Sequence, residues 1–302
     1  MELDYQYAVS DQIWLAAIKR DFAGLLFPRR TPQGAREITQ PLLGVAALSR
    51  GCPVGLILAD LYTWPDVARI ISWCVAPGLR GCGIGSLLLA RLEEAAREKG
   101  VDKLELTFRS DWGCAGAVRQ ILRAKGWSEP AEITRLFKIE QAGFTVPDWF
   151  HRLRLPPAYS VFPWGGLRAP QRLAIIGRKE ESDWYPSVLS PFQLPQQIEP
   201  CCSLGLSYYG EVVGWVIAHR IRPDLVQYTS LFVSAELQPL GRAIPLAVEA
   251  LKRQFAAGIP KAMFQVLADN HRFLRFIEQR LATHMAGQVG QYRARKEYIR
   301  NA

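Results

Sequence analysis

The sequence predicts a mixed α/β (α+β) protein made of two similar domains in tandem, and three observations predict it. The chain has 302 residues, about twice a common domain length of roughly 150. Its first half reads in the order hairpin, strand, Gly-rich loop, helix, strand, helix, strand. That order returns in the second half in one register. Val75 matches Val233, Arg80 matches Gln238, Gly83 matches Gly241, Gly100 matches Gly258, Lys103 matches Lys261 and Asp111 matches Asp269, each pair 158 residues apart (238 − 80, for example). The period far exceeds that of solenoid repeats, so the chain reads as a duplicated domain. Prolines cluster between 141 and 200, and the boundary is placed near 145, giving domains 1–145 and 146–302.

The elements follow in order. Asp4 to Val9 is a short strand, and Ser10 is an N-cap for an apolar-periodic helix with Ile13, Trp14, Ala17 and Ile18. Residues 28–40 are polar and turn-rich. Leu42–Leu48 and Val54–Leu61 flank Arg50-Gly51 as a hairpin, and Ala68–Val75 is a third strand rich in Ile, Trp, Cys and Val. A helix from about Ser86 to Lys99 carries Leu88, Leu92, Ala95 and Ala96 on one face and stops at Gly100, where a left-handed residue belongs. Lys103–Phe108 is a strand in which Glu105 alternates with Leu104 and Leu106 and so faces solvent. Ala115–Lys125 is a helix ended by Gly126, and Thr134–Glu140 a strand. The second copy starts with a strand near Tyr159–Val161 and a helix near Pro170–Arg178, and its hairpin turns at Gly210 as the first does at Gly51.

Composition excludes several classes. With 49% hydrophobic and 22% charged residues the chain is globular. No apolar run approaches the roughly 18 residues of a membrane span, and the N-terminus lacks the pattern of a secretory signal. The six cysteines form no C-x-x-C pair and only four histidines are present, so no metal site is expected. The thiols read as reduced and the setting as cytoplasmic. A net charge of +9 calls for an anionic partner. Its densest group, Arg293, Arg295, Lys296 and Arg300, reads better as a solvated last strand than as a nucleic-acid surface; a phosphorylated cofactor uses the same charge.

The segment between the third strand and its helix carries the chemistry: Val75, Pro77, Arg80, Gly81, Cys82, Gly83, Ile84, Gly85, Ser86. Glycines let backbone N–H groups approach a bulky anion, the helix start adds unpaired donors, and Arg80 adds a fixed charge. Together they make a pyrophosphate cradle. A P-loop is excluded because Gly85-Ser86 lacks the lysine, and the G-x-G-x-G spacing is not the dinucleotide fingerprint G-x-G-x-x-G. The plain alternative is a Gly-rich turn that only packs strand on helix.

Arg80-x-x-Gly83-x-Gly85, entered through Val75-Ala76-Pro77 and followed by a helix and a strand, resembles the signature motif of the GNAT (Gcn5-related) N-acetyltransferase family. The likeness covers roughly 1–140, with a weaker copy over 150–300, and tandem members such as mycothiol synthase resemble this arrangement. The resemblance implies two tandem domains, each a mixed, mostly antiparallel sheet flanked by helices and splayed at the motif strand. It implies acetyl-CoA as co-substrate, held by backbone near Cys74 and Val75 and by Arg80 to Ser86, and direct attack of a small-molecule or peptide amine on the thioester. A non-catalytic acyl-CoA-binding or regulatory module is the alternative.

The sequence departs from the family where a base and an acid belong. The strand before the loop, Arg69 to Cys74, has no carboxylate, and Leu122 stands where a tyrosine is usual. Asp60, Tyr62, Ser72 and Cys114 are the substitutes, with Asp66 and Asp111 behind them; each has an equally good reading as a turn or packing residue. Of the nine tryptophans, Trp64 and Trp112 flank the expected cleft. In the second copy Val233, Gln238, Gly241, Arg242, Ala243 and Asn270 form a weaker cofactor site, because Pro239 removes a donor. Tyr228 lies where a base could sit.

Overall fold

Strand β1 (Asp4–Val9) lies antiparallel to β2 (Leu42–Ser49), which turns through Arg50 and Gly51 into β3 (Cys52–Leu61). The two turn residues have φ of 51° and 77°, the left-handed pair whose twist suits a two-residue hairpin. Strand β4 (Val67–Val75) pairs antiparallel with β3. Helix α1 (Ile84–Glu98) then buries Ile84, Leu88, Leu89, Leu92 and Ala96, a single apolar stripe, and returns the chain to β5 (Lys103–Arg109), parallel to β4. Helix α2 (Ala115–Ala124) and β6 (Ala131–Glu140) complete the first copy. The computed structural model describes residues 4–9, 23–26, 42–61, 67–144 and 147–298. The helix expected after Ser10 and the stretch 28–40 lie outside them for the most part, as do Tyr62, Trp64, Asp66 and Arg300.

The second copy repeats the order of these elements and has a helix, α3, between its first two strands: β7 (Tyr159–Pro163), α3 (Ala169–Ser182), β8 (Leu204–Tyr208), β9 (Glu211–Arg222), β10 (Leu225–Val233), α4 (Ala243–Ala256), β11 (Lys261–Leu267), α5 (His271–Arg280) and β12 (Gly287–Glu297). Even the irregularities recur. Ile71 is the extra residue of a bulge in β4, and Thr229, 158 positions later, is the extra residue in β10. Gly100 and Gly258 both end their helices at φ 73°. The mixed, mostly antiparallel sheets flanked by helices are those expected. Among the described residues no helix is long and apolar enough to cross a membrane.

Contacts divide the chain differently from the sequence repeat. One compact unit is Met1–Ile133 with Gln291–Ala302; the other is Thr134–Gly290. The first sheet runs β1-β2-β3-β4-β5-β12, and the second β6-β11-β10-β9-β8-β7. Each copy's last strand therefore completes the other copy's sheet. The first unit's core lies between its sheet and α1 and α2, with Ile57, Leu88, Leu92, Phe108 and Leu122 at its centre. The second has the equivalent core (Val216, Val226, Leu246, Leu251) and a further aromatic one on the opposite face, where Trp164, Tyr185, Trp215 and Phe232 pack together.

This exchange overturns two sequence expectations. Glu105 does not face solvent: β12 lies beside β5, and Arg295 Nε sits 2.7 Å and Arg293 Nε 4.0 Å from a carboxylate that is only 7% exposed. Nor is the basic last strand simply solvated. Lys296 reaches through to Glu93 of α1, 3.2 Å away, and that buried carboxylate also accepts a 2.7 Å hydrogen bond from Trp127 Nε1.

Candidate functional site

The Gly-rich loop starts from a fixed point. The Ala76 N–H donates to the Val54 carbonyl at 2.9 Å, and Pro77–Leu79 make one tight turn. Arg80 is extended, and its Nε donates back to the Val75 carbonyl at 3.1 Å, so the guanidinium is held at the loop's surface. Gly81 and Gly83 then take φ of 86° and 81°, a conformation in which a side chain is strained, although a Cβ at either would meet nothing within 4 Å. The backbone, not crowding, requires these glycines. Helix α1 begins at Ile84, whose side chain is buried in the core. The N–H groups of Gly81, Cys82, Gly83, Ile84, Gly85 and Ser86 have no acceptor among the described residues. Six N–H groups without an acceptor, the positive end of a 15-residue helix and Arg80 thus lie along one loop.

Below the loop the sheet opens. β4 and β5 pair at only four positions, from Val67 with Lys103 to Ile70 with Leu106, although β4 continues to Val75 and β5 to Arg109. The bulge at Ile71 falls where pairing stops and redirects the strand, as bulges beside functional clefts do. The gap is lined by Ser72, Trp73, Phe108, Trp112, Cys114 and neighbours and holds about 30 Å³ of free space, with no carboxylate in the lining among the described residues. Ser72 is buried. Burial pushes the Cys114 thiol up, outweighing a backbone hydrogen bond and the nearby Arg80 charge, which pull it down.

The structure thus gathers Ser72, Cys114 and Trp112 at the splay and leaves Asp60 outside its lining, opposite Arg69 on the paired side of β4. Tyr62 is not among the described residues. The Cys74 side chain packs with Leu56 and Leu58 and is not part of the cleft lining. Asp111 is tied to Arg109 at 2.6 Å, and Leu122 is wholly buried in the core. Sequence reasoning missed Trp73 and Phe108; a tryptophan on the motif strand itself was the available signal.

The second loop has the same frame and a different interior. Gln238 Nε2 donates to the Val233 carbonyl at 2.9 Å, as Arg80 does to Val75, and β10 leaves β11 after Tyr228 with Phe264. Here, however, the Leu240, Gly241 and Ile244 N–H groups bond to the Leu237, Gln238 and Gly241 carbonyls, while Pro239 and Pro245 have no N–H. Only Arg242 and Ala243 keep unpaired donors among the described residues, and the Arg242 guanidinium lies 5.3 Å over the Tyr159 ring. Asn270 caps α5, accepting from the Phe273 N–H at 3.2 Å. Tyr228 is no base: its hydroxyl donates to Gln254 Oε1 at 2.9 Å, and burial, then the adjacent Cys202 thiol, raises the phenol well above its usual range.

Comparison with known proteins bears on the fold and on the family of the first copy. The model of the Acetyltransferase (GNAT) family matches residues 14–113. Among solved structures, the chain is similar to a tandem GNAT protein from the clavulanic acid biosynthesis pathway, at 16% identity and a TM-score of 0.59 over 98% of each chain. A GCN5-related N-acetyltransferase from Sphaerobacter thermophilus matches at 17% identity and a TM-score of 0.56, covering 84% of this chain and 80% of that one. A GCN5-related glucosamine N-acetyltransferase region of a fungal multi-domain GH3 beta-N-acetylglucosaminidase matches at 14% and 0.61, covering 97% of this chain and 38% of that one. No curated protein matches at a significant level. At these identities the structural likeness speaks for the fold, and the family model speaks for the first copy. Residues 14–113 of the first copy thus match the GNAT acetyltransferase family, and the chain as a whole shares its fold with a tandem GNAT protein.

Proposed function

We propose that this chain moves an acetyl or other acyl group from acetyl-CoA to an amine, with the cofactor in the first copy, domain 1–145 by sequence. The observation that carries the reading is the row of six unpaired N–H groups from Gly81 to Ser86 at the mouth of the β4–β5 splay. The pyrophosphate would lie over these donors with Arg80 beside it. The pantetheine would run along the unpaired edge of β4 toward Ser72, hydrogen-bonding as an added strand does. Because the free space is about 30 Å³, enough for little more than a water, Trp73 or Trp112 must shift to admit it.

An amine attacking the thioester needs a donor for the oxyanion and a proton for the leaving thiolate. Backbone N–H groups of β4 past the bulge serve the first need. Cys114, kept as a thiol by burial, and Ser72 are the proton carriers at the cleft. Asp60, on the strand before, would act only through water; Tyr62, the other candidate from the sequence, lies outside the described residues. The second site (Val233, Gln238, Gly241, Arg242, Ala243, Asn270) would bind the cofactor more weakly. A soluble, cytoplasmic enzyme acting on a small-molecule or peptide amine fits this reading.

A second reading, a non-catalytic acyl-CoA-binding module, is favoured by a cleft lining that holds no carboxylate among the described residues. Thiol release from acetyl-CoA, followed across a panel of amines and peptide N-termini, separates the two. Saturable turnover that is lost in Gly83→Asp supports the enzyme. Cofactor binding with no turnover on any amine supports the module, and no binding at all overturns both.

A further inference from the structure

The two exchanged strands sit in the same register. Glu297 of β12 faces Lys103 and Gln291 faces Arg109; Glu140 of β6 faces Lys261 and Thr134 faces Leu267. Position by position, Ala294 is therefore the counterpart of Phe137, Arg295 of Lys138 and Lys296 of Ile139. Register does not distinguish the strands, although the connections into them differ, a left-handed Gly126 before β6 and a tight turn at Ala282–His284 before β12. We infer that a charge-and-volume address, carried by β12 and β6 and read by β5, α1, β11 and α4, directs each last strand into the opposite unit.

The address reads on both faces. In the first unit Lys296 meets Glu93 of α1 at 3.2 Å, Arg295 meets Glu105 of β5 at 2.7 Å, and the small Ala294 is wholly buried opposite Leu106. In the second unit the repeat puts Leu251 where Glu93 stands (251 − 93 = 158) and Met263 where Glu105 stands (263 − 105 = 158). There Ile139 packs in the apolar core with Leu251, and Phe137 stacks on Phe264 at 5.2 Å between ring centres. Placed in the second unit, β12 would set Lys296 against Leu251, leave Arg295 without its carboxylate and put a methyl group where a phenyl ring fills space. Placed in the first, β6 would set Ile139 against the buried Glu93 and force Phe137 into the space of Ala294. Each wrong placement strands a charge and misfits a volume; each observed one does neither.

The full-length chain tests this, with exposed Cys52 and Cys82 changed to serine. Arg109→Cys with Gln291→Cys reports the exchanged arrangement, and Leu267→Cys with Gln291→Cys reports pairing of β12 within its own copy. With native strands only the first pair should cross-link. Trading residues 135–139 with 292–296 should move the cross-link to the second pair. A folded traded chain that still links 109 to 291 would overturn the address and leave chain connectivity as the selector. A milder variant keeps the idea testable should that chain not fold. Lys296→Leu should speed hydrogen exchange at 103–109 and 291–297 at least tenfold, leave 134–140 and 261–267 unchanged, and be reversed by adding Glu93→Leu, which copies the apolar pair of the second unit. Equal acceleration in both units, or no reversal by Glu93→Leu, would also overturn it.

Discussion

Removing the first loop's capacity to hold an anion should abolish cofactor binding, whereas the same change in the second loop should not. The perturbation is Gly83→Asp against Gly241→Asp, which are equivalent positions with φ of 81° and 67°. In the first loop six N–H groups lack an acceptor among the described residues, and in the second only those of Arg242 and Ala243 do. If a pyrophosphate engages four donors in the first loop, the second is at least two short. A hydrogen bond to a charged acceptor is worth about 1.5–3 kcal/mol. Two missing bonds therefore amount to roughly 3–6 kcal/mol, or about a hundred- to ten-thousand-fold in Kd. Calorimetric titration of CoA should give one site per chain. Gly83→Asp should weaken it at least a hundredfold and Gly241→Asp less than twofold. Gly83→Ala separates strain from charge: it carries the left-handed penalty of about 1 kcal/mol without the carboxylate, so it should lower Tm more than affinity. Two equivalent sites, or a larger loss from Gly241→Asp, would refute the donor count.

The remaining predictions use other readouts. Cys82 in the cradle and Cys52 in the hairpin are both exposed, so iodoacetamide should label both, and CoA should protect Cys82 alone; protection of both or neither would put the cofactor elsewhere. Burial keeps Cys114 a thiol, so it should alkylate more slowly than Cys82 at neutral pH, with Cys114→Ala lowering kcat more than it raises KM. In the second unit, burial works against the Glu199 charge, but hydrogen bonds from Arg220 (2.7 Å) and Cys201 outweigh it and hold the carboxyl below its ordinary value. A lowered folded-state pKa gives stability that is present above the unfolded value of about 4.3 and is lost as pH falls through the folded value. Arg220→Gln should therefore lower Tm at pH 7 and have little effect near pH 3; an equal loss at both would show that the ion pair is not responsible. Phe137→Ala, in the packed aromatic layer of the second unit, should cost about 3–5 kcal/mol in urea unfolding.

Local structure was legible because it rests on local rules. The Arg50-Gly51 hairpin, the stripe of α1 and the left-handed glycines at 100 and 258 follow from φ preferences and the 3.6-residue period alone. The duplication was legible because one offset survives through loop, helix, cap and strand, and it extends to the bulges at Ile71 and Thr229, which no pattern announces. What failed was non-local. Alternation says that Glu105 lies on the face opposite Leu104 and Leu106, but the identity of the neighbouring strand decides whether that face is wet. β6 and β12 end in the same Glu at the same register, so alternation and register do not name their sheets, and the residues that differ between them can be read only against the surfaces that receive them. The cleft was half legible: Cys114 and Trp112 lie next to a visible motif, while Phe108 and Trp73 enter it because β4 and β5 separate after four residue pairs.

The exchange also bears on why a copy with a closed loop persists. Without β12 the first unit would keep Glu93 in its core with the Trp127 N–H and the half-exposed Arg97, 3.7 Å away, as its remaining partners, and Glu105 would lose both of its arginines. Removing one partner of a buried ion pair costs about 3–5 kcal/mol. Glu93 falls in that range and Glu105 below it, since nearly half of the Arg295 side chain is exposed. Tyr292, stacked on Phe108 and covered by Arg119 at 4.2 Å, would leave as well and uncover a ring that lines the cleft. These losses are comparable with the 5–15 kcal/mol that holds a whole domain folded. The first copy is thus not a self-sufficient domain to which a spare has been attached. Its loop is poised over a sheet whose last strand comes from the other copy, and that dependence holds the two copies together whatever the second loop binds.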